Sequence, residues 1–353
     1  MTLKMPRSLF EERLKNLRSY LKKHRLPALL LDNPIDIFYI TGCEVSLGRV
    51  IVHQEEAKFF VDGRYFQACS QKSAIPVGHL AAADQKKFAG KKGKIGFDSA
   101  FTTVEDAERL NQLFPKRLEP LASPLRKIRA IKSSVELEIM RRSAQLNWKG
   151  FLHVKKKLKV GVTEKEMAWE FERFCRENGA SALAFEPIIA FGENTAMPHY
   201  RAGDRRLKKG DLVLVDIGVM IDHYDSDMTR TFAFGKVDPI LEKLMTVVRA
   251  SHAAALKICK PGQRLGMLDK AARDVMRKEK LEKLYLHSLG HGVGLEIHEW
   301  PRLKVDGIDK DVVLECGMVI TIEPGLYMAG IGGVRHEDTI AITKTGYENF
   351  YEK

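Results

Sequence analysis

Apolar and polar positions along this chain follow two regimes. Near the N-terminus Leu14, Leu17 and Leu21 recur at the spacing of one helical face, and Ser8 with Glu11 forms a capping box that would start that helix. Two short apolar runs follow: Ala28 to Leu31, stopped by Asp32-Asn33-Pro34, and Ala57 to Val61, turned by Asp62-Gly63. Strands alternating with helices predict a small α/β domain with a mostly parallel sheet. The pattern resets near Ser123-Pro124, where Ser133 with Glu136 and then Thr163 with Glu166 form two further capping boxes. The second of these leads into a helix with Met167, Phe171 and Phe174 on one face. From Leu212 onward the strands lengthen, are joined by tight turns and read as antiparallel. A domain over residues 1–130 and another over 131–353 are expected, which suits a chain of 353 residues, too long for one usual core.

The second domain carries the candidate chemistry. Leu212 to Gly218 is a buried-strand pattern interrupted by one acid, Asp216, and burying a lone carboxylate is costly unless it is paired or bound to a cation. The next strand, Tyr224 to Phe234, alternates so that Asp225, Asp227, Thr229 and Thr231 share a face. A turn over Met220 to His223 would set Asp216 directly across from Asp227, too close for two ionised carboxylates without a compensating charge. The construction repeats in Val319 to Glu323 and Val334 to Ile342, where Glu323 and Glu337 are equidistant from Gly330. Two hairpins would thus aim four carboxylates at one place, a cluster that calls for about two divalent cations. His291, set in Gly290-His291-Gly292-Val293-Gly294, fits as a fifth ligand because glycine lets the backbone approach closely. Four oxygens and one imidazole suit manganese, cobalt or zinc. His199, His287 and His298 complete a group able to handle protons. By alternation Arg335 shares the face of Glu337 and points into the site, while His336 points away.

Composition narrows the field. A hydrophobic fraction of 44% and a charged fraction of 29% describe an ordinary globular protein, and no apolar stretch approaches the roughly 20 residues that span a bilayer. The N-terminus lacks the apolar core of a signal peptide, so a cytoplasmic protein is expected. Five cysteines without CxxC spacing read as free thiols. The net charge of +12 is concentrated in Lys4 to Arg25, Arg126 to Lys132 and Lys155 to Lys159. No base-stacking aromatic pattern accompanies these lysines, so they read as solvated helix faces and not as a nucleic-acid surface.

The motifs NPIDIFYITG, VDGRY, RKIRAIKSSVELEIMRRSA, FEPIIAFGENTAMPHY, VLVDIG, YDSDMTRTF, HSLGHGVGLEIHEWP, ITIEPGLY and GIGGVRHED occur in this order along nearly the whole chain. In this the sequence resembles the proline-specific branch of the pita-bread metallopeptidases (peptidase family M24), which contains aminopeptidase P and prolidase. The resemblance implies a creatinase-like α/β N-terminal domain followed by an α+β pita-bread catalytic domain. It implies that Asp216, Asp227, His291, Glu323 and Glu337 hold two divalent metal ions, most often manganese, whose activated hydroxide attacks the scissile carbonyl. Glu323 would be the general base, His199 and His298 would assist proton transfer, and His287 and Arg335 would face the substrate. A homodimer acting on peptides with proline in second position is implied as well. Of two substrate classes the sequence favours longer peptides, making the chain an Xaa-Pro aminopeptidase, with an Xaa-Pro dipeptidase as the alternative. A methionine aminopeptidase fits poorly because of the extra N-terminal domain, and a non-enzymatic binding module fits poorly because all five ligand positions are filled. Three positions depart from the family pattern: His223, Asp225 and His336. Asp225 is expected in an outer-shell or solvent-facing role.

Overall fold

The computed structural model describes residues 5–351 and divides into two compact units, Met1–Arg129 and Ala130–Lys353. The first contains, in order, α1 (Arg7–Lys23), β1 (Ala28–Leu31), α2 (Pro34–Thr41), β2 (Gly48–His53), β3 (Ala57–Val61), α3 (Gly63–Lys72), β4 (Val77–His79), α4 (Ala82–Phe88), β5 (Ile95–Asp98), α5 (Val104–Leu113) and β6 (Leu118–Leu121), and ends in α6 (Arg126–Ala130). Its six-stranded sheet runs β4-β3-β2-β1-β5-β6. The expected parallel character holds for β3–β4, β1–β5 and β5–β6, whereas β2 is antiparallel to both neighbours. A connection as short as Gln54 to Glu56 can return the chain only as a hairpin, which makes the sheet mixed.

Two further expectations need correction. Helix α1 begins at Arg7 behind Pro6 and has no side-chain cap, so Ser8 lies inside the first turn. Proline, with φ of −70° and no N–H to satisfy, starts the helix without the predicted box. Nor are the basic segments solvated throughout. Arg13 is buried, donates to the Tyr39 carbonyl at 3.0 Å and lies 4.1 Å from the Tyr39 ring centre; Arg129 is buried against Asp36 at 2.9 Å.

The second unit contains α7 (Ser134–Lys157), α8 (Glu164–Glu177), β7 (Ala182–Leu183), β8 (Ile188–Phe191), β9 (Asp211–Ile217), β10 (Val219–Ile221), β11 (Tyr224–Asp225), β12 (Met228–Phe234), α9 (Pro239–Leu256), α10 (Leu265–Lys278), β13 (Gly290–Gly292), β14 (Glu299–Leu303), β15 (Val319–Ile322), β16 (Gly325–Met328), β17 (Gly332–Arg335), β18 (Asp338–Ile342) and β19 (Tyr347–Asn349). Both predicted capping boxes are present, Ser133 with Glu136 on α7 and Thr163 with Glu166 on α8. All pairings in this unit are antiparallel. Val154 of α7 and Phe171 of α8 share one core with Ile189, Val213 and Val215 of β8 and β9. Ala255, Leu256, Leu268 and Ala272 of α9 and α10 share another with Ile320, Ile322, Ile340 and Ile342 of β15 and β18. Two helix pairs therefore hold down the two strand systems whose ends carry the acids. Among the described residues no helix is long and apolar enough to cross a membrane.

Candidate metal centre

The first hairpin turns at Asp222-His223, one residue later than the sequence suggested, through left-handed φ values of 46° and 72°. Two consecutive residues of positive φ make the tight primed turn that matches strand twist. The pairing partner of Asp216 is therefore Thr229, not Asp227, which lies diagonally across on the same face. The strand also breaks at Ser226-Asp227: the Ser226 hydroxyl and N–H both bond to Val219, so the alternation assumed for Asp225 is interrupted. In consequence Asp225 is buried away from the acid cluster, 3% exposed, with Oδ1 lacking a hydrogen-bond partner. The solvent-facing role expected for it is thus wrong. Burial first, then Glu299 and Glu296, push its carboxyl up to about 8.

The second hairpin keeps the register read from the sequence. Ile322 pairs with Asp338 on one side of Glu323 and Glu337, and Gly325 pairs with Arg335 on the other, all centred on Gly330. The ladder opens at the two glutamates, which leaves their carboxylates clear of the sheet. On the other side of β15 lies β13, paired with β15 and β14. Its glycines are required there, since a Cβ on Gly290 would sit 2.0 Å from the Thr321 carbonyl oxygen and one on Gly292 would sit 2.4 Å from that of Trp300. This close approach carries His291 into the cluster.

Asp216, Asp227, His291, Glu323 and Glu337 line one cavity of about 590 Å³, together with His199, His287, His298 and Arg335. All nine residues singled out from the sequence thus meet in one place. His291 Nε2 lies 3.4 Å from Glu323 Oε1 and 3.7 Å from Asp227 Oδ2. Its Nδ1 lies 3.0 Å from the Gly292 carbonyl oxygen, which can only accept; Nδ1 therefore holds the proton and Nε2 offers its lone pair to the acids. Burial, then His298 and Arg302, hold this ring down at about 3, so it is neutral.

The acids are strongly destabilised as charges. Burial, followed by Glu337, Asp216 and Glu323, drives Asp227 well above the usual carboxylate range. Burial and then Glu337 do the same to Glu323, and burial with Asp216 pushes Glu337 up to about 8. Of the guanidiniums lining the cavity, Arg335 is the one that bonds to an acid of this cluster. Although burial opposes its charge, Tyr327 and these acids hold Arg335 well above its ordinary value. Arg335 Nη2 donates to Asp216 Oδ2, Nε donates to Thr229 Oγ1 at 3.1 Å, and Nη1 donates to Tyr327 Oη at 2.6 Å. Thr229 Oγ1 donates to Glu337 Oε2 at 2.6 Å, so one arginine steadies two of the acids. His287 Nδ1 donates to the Ser288 carbonyl at 2.8 Å, which leaves Nε2 to accept from Tyr327 at 2.9 Å. His298 stands edge-on to His291 with ring centres 4.4 Å apart.

The donor set fits divalent cations. Asp216 Oδ1 is buried without any hydrogen-bond partner, and Asp227, His291 and Glu337 present ligand atoms within 4.8 Å of one another. A hard, oxygen-rich shell with one imidazole would neutralise the surplus charge. None of the cysteines belongs to this cluster; all five are free thiols. Three members of the site were not singled out from the sequence. Thr229 was noted only for its face, Tyr327 was only the end of the ITIEPGLY motif with no role given it, and Arg302 lies on the cavity wall. The guanidinium of Arg302 makes a single long bond, 3.4 Å to Ser288 Oγ, and has no carboxylate partner among the described residues.

Residues 13–131 match the Creatinase/Prolidase N-terminal domain and residues 138–344 match Metallopeptidase family M24. The chain is 32% identical to the Xaa-Pro dipeptidase of Pyrococcus furiosus, covering 95% of this chain and 96% of that protein. It is 34% identical to the Xaa-Pro dipeptidase of Pyrococcus horikoshii, over 96% of each. Among solved structures it superposes on the Xaa-Pro dipeptidase from Bacillus anthracis with a TM-score of 0.92 and 31% identity, covering 98% of both chains. It superposes on the X-Pro aminopeptidase from Thermotoga maritima with a TM-score of 0.87 and 26% identity, covering 96% of this chain and 97% of that one. An α/β creatinase N-terminal domain joined to a pita-bread catalytic domain is therefore the architecture, and the chain belongs to metallopeptidase family M24.

Proposed function

We propose that this metallopeptidase is an Xaa-Pro dipeptidase that holds two divalent cations, manganese first among them, on Asp216, Asp227, His291, Glu323 and Glu337. Between the two substrate classes, the order drawn from the sequence is reversed. The observation that carries the reading is Arg302, a cation with no carboxylate partner at the wall of the cavity that holds the acids. In a dipeptide a free carboxylate lies about one residue, roughly 3.8 Å, beyond the scissile bond, and an unpaired guanidinium recognises such a group through two parallel bonds. A longer peptide has no charge there. The full-length similarity to the two Pyrococcus dipeptidases, at higher identity than to the Thermotoga aminopeptidase, supports the same choice.

The cations would supply Lewis-acid polarisation of the scissile carbonyl and acidify water in the site. In this reading Glu323, on the cavity wall among the ligands, receives the proton of the attacking water. His298 and His199, on the cavity wall, pass protons and face the developing oxyanion. Arg335 holds Asp216 in place, and its bond to Tyr327 orients the His287 ring against the substrate.

Three substrates test this with the full-length, manganese-supplemented protein: an Xaa-Pro dipeptide, the same dipeptide amidated at its C-terminus, and an Xaa-Pro-Yaa tripeptide. Loss of one charged hydrogen-bond set costs about 1.5–3 kcal/mol, so kcat/KM is expected to favour the free dipeptide by about 10- to 100-fold. Equal or better cleavage of the tripeptide would make the chain an aminopeptidase. No cleavage of any of the three would leave only a binding role.

A further inference from the structure

Behind the strand that carries Glu337 lies a second group of metal-ligating side chains. Successive residues of an extended chain face opposite ways, so His336 and Asp338 project from the side of the backbone away from the cavity, whose lining includes neither. They meet His252 of α9 there. His252 Nε2 is 3.4 Å from Asp338 Oδ2, the His252 and His336 rings stand nearly perpendicular with centres 4.7 Å apart, and one ligand atom from each of the three residues lies within 4.8 Å of the others.

Two observations separate this group from an ordinary polar cluster. His252 is buried, 5% exposed, yet its Nε2 makes no hydrogen bond. Leaving a buried ring nitrogen unsatisfied is costly, and a bound partner would remove that cost. The spacing also fits an ion: two ligand atoms each about 2.1 Å from a tetrahedral cation lie about 3.4 Å apart, the separation found here between His252 and Asp338. The ring of His336 makes no hydrogen bond to a described residue, so it too is available.

We propose that His252, His336 and Asp338 form a third metal site, distinct from the catalytic pair, selective for a borderline transition metal of the copper, nickel or zinc class. Two imidazoles and one carboxylate favour such ions over manganese, whereas the oxygen-rich catalytic shell does not. The site would clamp α9 to the backbone on both sides of Glu337. Cations already face it: Arg230 Nη2 lies 2.6 Å from Asp338 Oδ1, and Arg249 is near enough to act on the His336 ring. Asn349 Nδ2 donates to Asp338 Oδ2 at 2.9 Å, which leaves that oxygen one further lone pair. The positive neighbours oppose binding, which makes copper(II), the tightest binder of the divalent series, the right probe.

Manganese-loaded full-length protein given one equivalent of copper(II) should bind it while keeping its manganese, and the electron paramagnetic resonance spectrum should show splitting from two imidazole nitrogens. The catalytic ligand set contains one imidazole, so this pattern also separates the two sites. His252→Ala and His336→Leu should each lose the two-nitrogen signal with manganese content unchanged. Copper that stays free, displaces manganese, or gives a one-nitrogen spectrum in the unsubstituted protein overturns the proposal, and that measurement needs no variant to fold. Because manganese content and peptide cleavage are read separately, failure here leaves the catalytic reading intact.

Discussion

The two units treat buried charge in opposite ways. In the first, Asp36 meets Arg129 at 2.9 Å and Asp32 meets Arg49 through bonds of 2.7 and 2.9 Å, so each of these acids faces an opposite charge. In the second, Asp216, Asp227, Glu323 and Glu337 gather in one cavity where only Asp216 is bonded to a guanidinium, that of Arg335, and its other oxygen has no hydrogen-bond partner. Balanced pairs hold a fold together at little net gain, whereas an imbalance of this size is costly and persists only where a further positive group completes it. The difference locates the chemistry: what is surplus in the protein is what binds.

Replacing a surplus acid should produce the largest effect. Asp227→Asn or Glu337→Gln is expected to lower kcat/KM by more than the roughly 10- to 100-fold typical of groups that only support a metal ligand. The same substitutions should raise the melting temperature of the metal-free protein at pH 8, at about 2–4 °C for each kcal/mol of repulsion relieved, while abolishing the rise seen on adding metal. A metal-free variant no more stable than its parent would mean that the acids do not repel.

Arg335→Lys sharpens the contrast by keeping the charge and removing the fork. Lysine cannot reach Asp216, Thr229 and Tyr327 together, so a loss of about 10- to 100-fold in kcat is expected with the protein still folded. Unchanged turnover would make the arginine a mere counter-charge.

The pH dependence of the metal-free protein follows from the same imbalance. Glu337 moves from 4.5 to about 8 on folding, and Asp227 and Glu323 are raised too, so between those limits these carboxyls hold more protons in the folded state than in the unfolded one. These carboxyls make stability fall as pH rises, but below about 6.5 the depressed imidazoles of His287, His291 and His336 oppose them, so the net fall is expected between about 6.5 and 8. Bound cations should flatten this slope, because they displace those protons. Denaturant titrations of both forms across that range measure it, and parallel slopes would refute it.

The smallest effect on turnover belongs to the balanced unit. Asp36→Asn removes the carboxylate 2.9 Å from buried Arg129, a loss on the order of 3–5 kcal/mol of stability, but kcat of the folded fraction should not change. A parallel fall in kcat would erase the distinction between the two regions.

How much of this was legible in the chain depends on which interactions are local. Arithmetic about Gly330 recovered the second hairpin because the turn there contains glycines that announce it. The first hairpin was misread by one residue because its turn falls on Asp222 and His223, whose left-handed backbone carries no glycine to mark it. That error of register preserved the face, since moving a turn by one residue moves the pairing by two, so the acids still converged. Arg302, Tyr327 and the burial of Arg13, Arg129 and Asp225 were not readable: each depends on contacts between segments far apart in sequence. The capping boxes of α7 and α8 involve residues three apart and were read correctly, while Pro6 displaced the one expected for α1.

Calorimetric titration of manganese(II) into the chelator-treated protein at pH 7, repeated in buffers of different ionisation heat, tests the central claim most directly. The acids, holding protons above their ordinary range, should bind two cations and release protons as they do so. A protein that takes up no manganese, or takes it up with no proton release, would contradict the account.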